Sequence, residues 1–152
     1  MALFTNPMPK RNAIIDRLIQ MIPRRTLAHY PTPLMPAIKM GKLLQDKRIW
    51  FKRDDLISFG LGGNKIRGLE VMLFDAVKQN AEVLITGAGI QSNHVRATAF
   101  AAAHAAMASI AVYWGNPPRL VDGNYRVTKM LGAEIRFTGD NDRTSVDSHG
   151  SS

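Results

Sequence analysis

From Glu82 to Phe137 short apolar runs alternate with helical ones, and only a few residues separate them. Glu82 to Thr86, Ser109 to Trp114 and Glu134 to Phe137 read as strands. Lys65 to about Gln79, the run from Gln91-Ser92-Asn93-His94 to about Met107, and Asn124 to Leu131 read as helices. Such alternation is the pattern of βαβ units, and it constrains the chain to a parallel sheet covered by helices. The predicted fold class is therefore α/β, a three-layer αβα arrangement. In sheets of this kind ligands bind beyond the C-terminal strand ends. Two glycine-bearing loops fall at that end, Asp54 to Gly63 and Gly87 to Gly89.

Upstream the pattern is looser. Arg48 to Lys52 is expected as a further strand of the sheet, and Ala37 to Leu44 as a short helix. Pro31, Pro33 and Pro36 hold the segment around Tyr30 to Leu34 extended. Ile14, Ile15, Leu18, Ile19 and Ile22 recur at helical spacing, which predicts an amphipathic helix from Arg11 to Ile22 that packs on something and stops at Pro23. The basic start, with Asp16 its only acid, faintly resembles a transit peptide; the amphipathic helix is the preferred reading. Residues 1–137 are read as one α/β unit, and 138–152 as a polar tail, truncated or disordered.

The chain has no cysteine, which excludes disulfides, thiol nucleophiles and cysteine-based zinc sites. It also fits a cytoplasmic location. The formal net charge is +8, but the basic residues are scattered and no basic run is interleaved with aromatics. No nucleic-acid partner is expected. No apolar stretch reaches membrane-spanning length. No metal site is expected.

The chemistry concentrates at the two loops. In Gly62-Gly63-Asn64-Lys65 the glycines let the backbone approach a flat ligand. Asn64 is expected to cap the following helix. Lys65 falls in its first turn, at the positive end of the macrodipole, where an amine that reacts as a nucleophile is well placed. The same four residues alone fit a surface lysine after a flexible loop. In the second loop, Ser92 and Asn93 at a helix start offer donors toward an anion such as a carboxylate. His94 is a candidate base or a structural histidine. The loop is not a dinucleotide fingerprint, because Gly87-x-Gly89 is followed by Ser92 where that pattern has glycine.

Taken together and in order, the motifs are more specific. They are Lys52-Arg53-Asp54-Asp55-Leu56, Gly62-Gly63-Asn64-Lys65-x-Arg67-x-Leu69-Glu70 and Gln91-Ser92-Asn93-His94-x-Arg96. They closely resemble the D-cysteine desulfhydrase and 1-aminocyclopropane-1-carboxylate (ACC) deaminase family, pyridoxal-phosphate (PLP) enzymes of the tryptophan-synthase-β fold type. Tyr30-Pro31-Thr32-Pro33-Leu34, Asp122-Gly123-Asn124 and Leu131-Gly132-Ala133-Glu134 resemble further family segments.

The resemblance implies PLP as cofactor and Lys65 as its Schiff-base lysine, with Asn64 beside it. It implies that Asn93 hydrogen-bonds the cofactor's 3′ oxygen. It places Ser92, Asn93 and His94 at the substrate carboxylate, with Ser92 also handling a proton. The implied substrate is a small amino acid, the implied assembly of full-length relatives a homodimer, and the implied activity a lyase. D-cysteine desulfhydrase is preferred, ACC deaminase is the alternative, and a non-catalytic truncated fragment is the reading of another class.

Two departures stand out. Gly68 occupies the position where the family carries a lysine near the cofactor phosphate. Family members are also roughly twice as long. The phosphate loop, the pyridine-nitrogen partner and the catalytic tyrosine therefore have no counterpart here. An uncovered sheet edge and exposed apolar surface are expected.

Overall fold

The structure, a computed structural model, describes residues 13–46 and 48–149, apart from the side chains of Asp16, Ser148 and His149. Three parallel strands form the central sheet in the order β3-β4-β5: β3 (Val83–Ala88), β4 (Ala108–Tyr113) and β5 (Glu134–Phe137). Ile85 stands opposite Ile110, and Ala111 opposite Ile135. Three helices connect and cover these strands: α3 (Lys65–Lys78), α4 (Asn93–His104) and α5 (Gly123–Met130). The expected α/β class with a parallel, helix-flanked sheet is borne out.

The expected strand at Arg48 to Lys52 exists but belongs elsewhere. It is β2 (Trp50–Lys52), and it pairs antiparallel with β1 (Leu34–Pro36), with Leu34 opposite Lys52. The two form a separate ribbon. The sheet expectation is corrected here for a physical reason. Each strand has three exposed residues, too few to bury a face between helices, whereas a parallel-sheet strand is covered on both sides. Between them lies α2 (Ile38–Leu43).

The N-terminal helix is α1 (Ala13–Met21); the expected start at Arg11 lies outside the described residues. Its apolar face does not pack as expected: Ile14, Ile15, Leu18, Ile19 and Ile22 are all exposed. Beyond β5, the segment expected as a free polar tail is folded as far as His149. The Thr138 amide donates to Tyr113 O at 3.0 Å, and the Gly115 amide to Asp140 O. The short helix α6 (Ser145–His149) then lies against β3 and β4. Gly150 to Ser152 lie outside the described residues.

Two clusters make the core. Ile66 and Leu69 of α3 pack with Ala97 of α4 and with Ala28 and Ile57 from the preceding segments. On the other side Val95, Ala111, Tyr113 and Tyr125 join α4, β4 and α5, with the Tyr113 and Tyr125 rings edge to face at 5.6 Å. Helix α4 is central to both. Val95 to Ala99, Ala101 and Ala102 are all buried, so this helix is covered around nearly its whole circumference. As expected from sequence, apolar surface is exposed at the edge strand β3: Val83 and Ile85 are exposed, as is Met72 of α3.

Candidate functional site

The segment that presents Lys65 is held by Asp54. After β2 the chain makes a 3₁₀ turn at Asp54–Leu56. The Gly63 amide then donates to Asp54 O at 2.8 Å. The Asp54 carboxylate receives Arg67 through Nε at 2.8 Å and Nη2 at 2.7 Å, and the Thr32 hydroxyl at 2.7 Å. Lys52 Nζ in turn donates to Thr32. The Arg67 guanidinium beside Asp54 holds its carboxyl far below the usual carboxylate range. Arg67 also lies 4.5 Å over the Tyr30 ring. Burial, then the Glu70 charge, push the Tyr30 hydroxyl up to about 12.

Gly62 has φ +76°, and a Cβ there would meet Asp55 O at 2.6 Å, so only glycine fits the turn. Lys65 follows as the first, exposed residue of α3. Asn64 does not cap that helix with its side chain. Its own backbone is already helical, at φ −66° and ψ −15°, whereas a capping side chain reaches the N2 or N3 amide from an extended backbone.

Ser92 does cap its helix. Its backbone is extended and its Oγ accepts from the His94 amide at 3.1 Å and the Val95 amide at 3.3 Å. This occupies the oxygen's lone pairs and leaves the hydroxyl proton as a donor. Upstream, Gly89 lies under Trp114, and a Cβ there would come within 2.6 Å of the indole.

Asn93 and His94 diverge. Asn93 Oδ1 accepts from Arg96 Nη1 at 3.0 Å and Asn124 Nδ2 at 2.9 Å. That pattern fixes which end of the amide is oxygen and turns Nδ2 outward as a donor. His94 is half-buried and lines a cavity of about 120 Å³ with Leu69, Leu73, Leu84 and Thr98, between α3 and β3. Burial, then the Lys65 charge, hold its imidazole below the ordinary value of 6.5. Of these two, His94 is the one whose charge couples to Lys65, and Asn93 the one tied to α5.

Sequence reading gave no role to the bonds that cross the loops. Gln91 Nε2 donates to Asp122 Oδ1 at 2.9 Å, and Gln91 Oε1 accepts the Asn124 amide at 2.8 Å. Asn124 Nδ2 reaches Gln91 O at 2.7 Å. Arg96 Nη2 donates to Gly62 O at 3.0 Å, and Nη1 to Asn124 Oδ1 at 2.8 Å. The available signal was Arg96 itself, the one arginine or lysine in the alanine-rich helix α4.

The residues present fit a flat aldehyde cofactor with anionic groups. Lys65 supplies an exposed amine in the first turn of a helix. Gly63 and Gly68 leave open space, with nothing within 4 Å of a Cβ at either. The Asn93 amide offers an outward donor. Among the described residues no group of three His, Cys, Asp or Glu side chains is placed to hold a metal ion.

Comparison with known proteins gives a consistent picture. The family model described as pyridoxal-phosphate dependent enzyme matches residues 25–149. The chain is 35% identical over 123 residues to a protein named putative 1-aminocyclopropane-1-carboxylate deaminase from Pyrococcus abyssi, covering 81% of this chain and 36% of that protein. It is 36% identical over 133 residues to the mitochondrial bifunctional D-cysteine desulfhydrase/1-aminocyclopropane-1-carboxylate deaminase of Arabidopsis thaliana, covering 81% and 32%. A crystal structure of an ACC deaminase homologue superposes with a TM-score of 0.81 at 33% identity, over 90% of this chain and 41% of that one. The chain spans about a third of the length of these curated relatives. The family resemblance carried by the ordered motifs is borne out.

Proposed function

The chain belongs to the pyridoxal-phosphate dependent enzyme family, and from that premise we propose that Lys65 is its cofactor lysine and that the protein at its relatives' length is an amino-acid lyase of the D-cysteine desulfhydrase type. The observation that carries this reading is the placement of Lys65. It is exposed in the first turn of α3, and the loop before it is bonded through Gly62 to the start of α4, where Asn93 turns its donor outward.

PLP bound there supplies an electron sink for the charge left when the substrate loses a proton. The chain's own residues bind and orient. Lys65 Nζ makes the covalent attachment, and Asn64 flanks it. Asn93 Nδ2 donates to the ring oxygen. Ser92, its lone pairs engaged by the helix amides, directs its hydroxyl proton at the substrate carboxylate or at a proton in transit. His94, held neutral by burial, closes the α3 side of the site. With D-cysteine and water the products are pyruvate, hydrogen sulfide and ammonia.

A second reading is ACC deamination, in which ACC and water give 2-oxobutanoate and ammonia. It is favoured by the names of the Pyrococcus and Arabidopsis relatives. A cytoplasmic homodimer acting on a small amino acid completes the proposal. Among the described residues no helix is long and apolar enough to cross a membrane.

The test is chemical. Protein incubated with PLP and reduced with borohydride carries the label on Lys65, and mass mapping that finds it on another lysine overturns the assignment. At the relatives' length, sulfide from D-cysteine against 2-oxobutanoate from ACC decides the substrate.

A further inference from the structure

Arg96 is one of two buried charged side chains among the described residues, the other being Glu70. Its side chain is in a helix whose buried face is rich in alanine, and the residue is only 7% exposed. Among the described residues no carboxylate bridges it, and its Nε has no hydrogen-bond partner. Burying a guanidinium without a counter-ion is costly, and an apolar residue would fill the same space more cheaply. What the cation does there is visible in its bonds. One guanidinium reaches Gly62 O in the loop before Lys65, Asn93 Oδ1 at the start of α4 and Asn124 Oδ1 at the start of α5. The loop before Lys65 and the first turns of α4 and α5 therefore each contribute one acceptor to the same group.

We propose that Arg96 is the positioning residue of the site: it sets the spacing between the Lys65 loop and α4, and it locks the Asn93 amide with its NH₂ outward, polarised toward an anionic oxygen. The proposal deepens the reading of the site as a PLP cradle and rests on it for the identity of that oxygen. Two features give the device its logic. A cation donating to an amide oxygen strengthens the same amide as a donor, because hydrogen bonds in a chain polarise one another. The planar fork of arginine also satisfies several acceptors at fixed angles, which the point charge of lysine does not. A carboxylate partner would neutralise the charge before it reached the Asn93 amide; none is present among the described residues.

The test begins without cofactor. In the ¹⁵N-labelled chain, the Asn93 side-chain NH₂ pair is expected downfield of those of exposed asparagines. Arg96→Lys, which keeps the charge, moves the pair to the exposed position while the backbone amides of β3, β4 and β5 hold theirs. In the same variant PLP binds about tenfold more weakly, a loss of one charge-assisted contact. An Asn93 signal unmoved by Arg96→Lys overturns the proposal. If that variant does not fold, Asn124→Ala decides. The pair keeps most of its shift if Arg96 orients Asn93, and collapses to the exposed position if Asn124 does, which again overturns the proposal. Failure of PLP to label Lys65 in the unsubstituted chain overturns the functional reading, while the cofactor-free spectra still judge Arg96.

Discussion

Asp54 grips Arg67 with both carboxylate oxygens while its own carbonyl accepts the Gly63 amide, so a single residue fastens both ends of the segment that carries Lys65. Hydrogen bonds to charged groups are worth roughly 1.5–3 kcal/mol each, and here they are partly shielded from water. Asp54→Asn is expected to lower stability by about 2 kcal/mol, read by denaturant unfolding, and to loosen the loop enough to slow borohydride-trapped labelling of Lys65. The pH dependence has a definite sign. The carboxyl is depressed in the folded state, so its contribution is complete above the unfolded carboxylate range and is lost as pH falls through the folded value. Asp54→Asn should therefore flatten the acid side of the stability curve. An unchanged curve would count against the clasp.

His94 works in the opposite charge sense but the same direction in pH. It is held below its ordinary 6.5 by burial and by Lys65, so the unfolded chain takes up its proton first. Stability is expected to fall as pH drops from about 6.5, levelling once the folded imidazole also protonates. His94→Gln should remove that slope between about pH 7 and 5. A slope that survives in the variant would assign it to another group.

Ser92 caps α4 through two amides. Ser92→Ala should cost about 1 kcal/mol in thermal or denaturant unfolding, and Ser92→Asp should recover most of it, since aspartate is an equally good cap. The proton role separates from the cap in the same pair. Aspartate restores stability but offers no hydroxyl donor, so activity at the relatives' length should stay low in both. Full activity in Ser92→Asp would remove the serine hydroxyl from the chemistry.

Three substitutions at two glycines give contrasting outcomes. Gly62→Ala places a methyl group 2.6 Å from a backbone oxygen at positive φ, and should destabilise by more than about 1 kcal/mol. Gly68 sits in a helix with open space around it, so Gly68→Ala should stabilise by about 0.8–1 kcal/mol. Gly68→Lys fits the same space and should tighten PLP, as an added cation near the cofactor phosphate. A titration without gain would mean that the phosphate is held elsewhere.

The regular half of the fold was legible in sequence because its signals are local. Residues Ile66, Leu69 and Leu73 repeat at helical spacing, and β3, β4 and β5 are short apolar runs between glycines and helices. The β1–β2 ribbon was not. Its register joins Leu34 to Lys52 across α2, and three residues with a terminal proline carry no period. At the site, Lys65 and Asn93 were legible as types at loop ends. The Asn64 cap failed because a side-chain rule depends on a backbone angle that the residue name does not give. The bonds of Arg96, Gln91 and Asn124 join positions 28 to 34 residues apart, and only the folded topology reveals that these ends meet.

The small side chains of α4 have a mechanical consequence. Ala97, Ala99, Ala101 and Ala102 are buried where α4 lies against α3, α5 and the strands β3 and β4. Methyl groups are the thinnest side chains that still fill space, so the helix acts as a shim of minimum gauge between its neighbours. Lys65 and Asn124 stand in the first turns of α3 and α5, and both helices pack against α4. The width of the cleft is thus set by the thickness of a stretch of helix that carries none of the proposed binding residues. A single added methylene along that helix would be transmitted as a change of aperture.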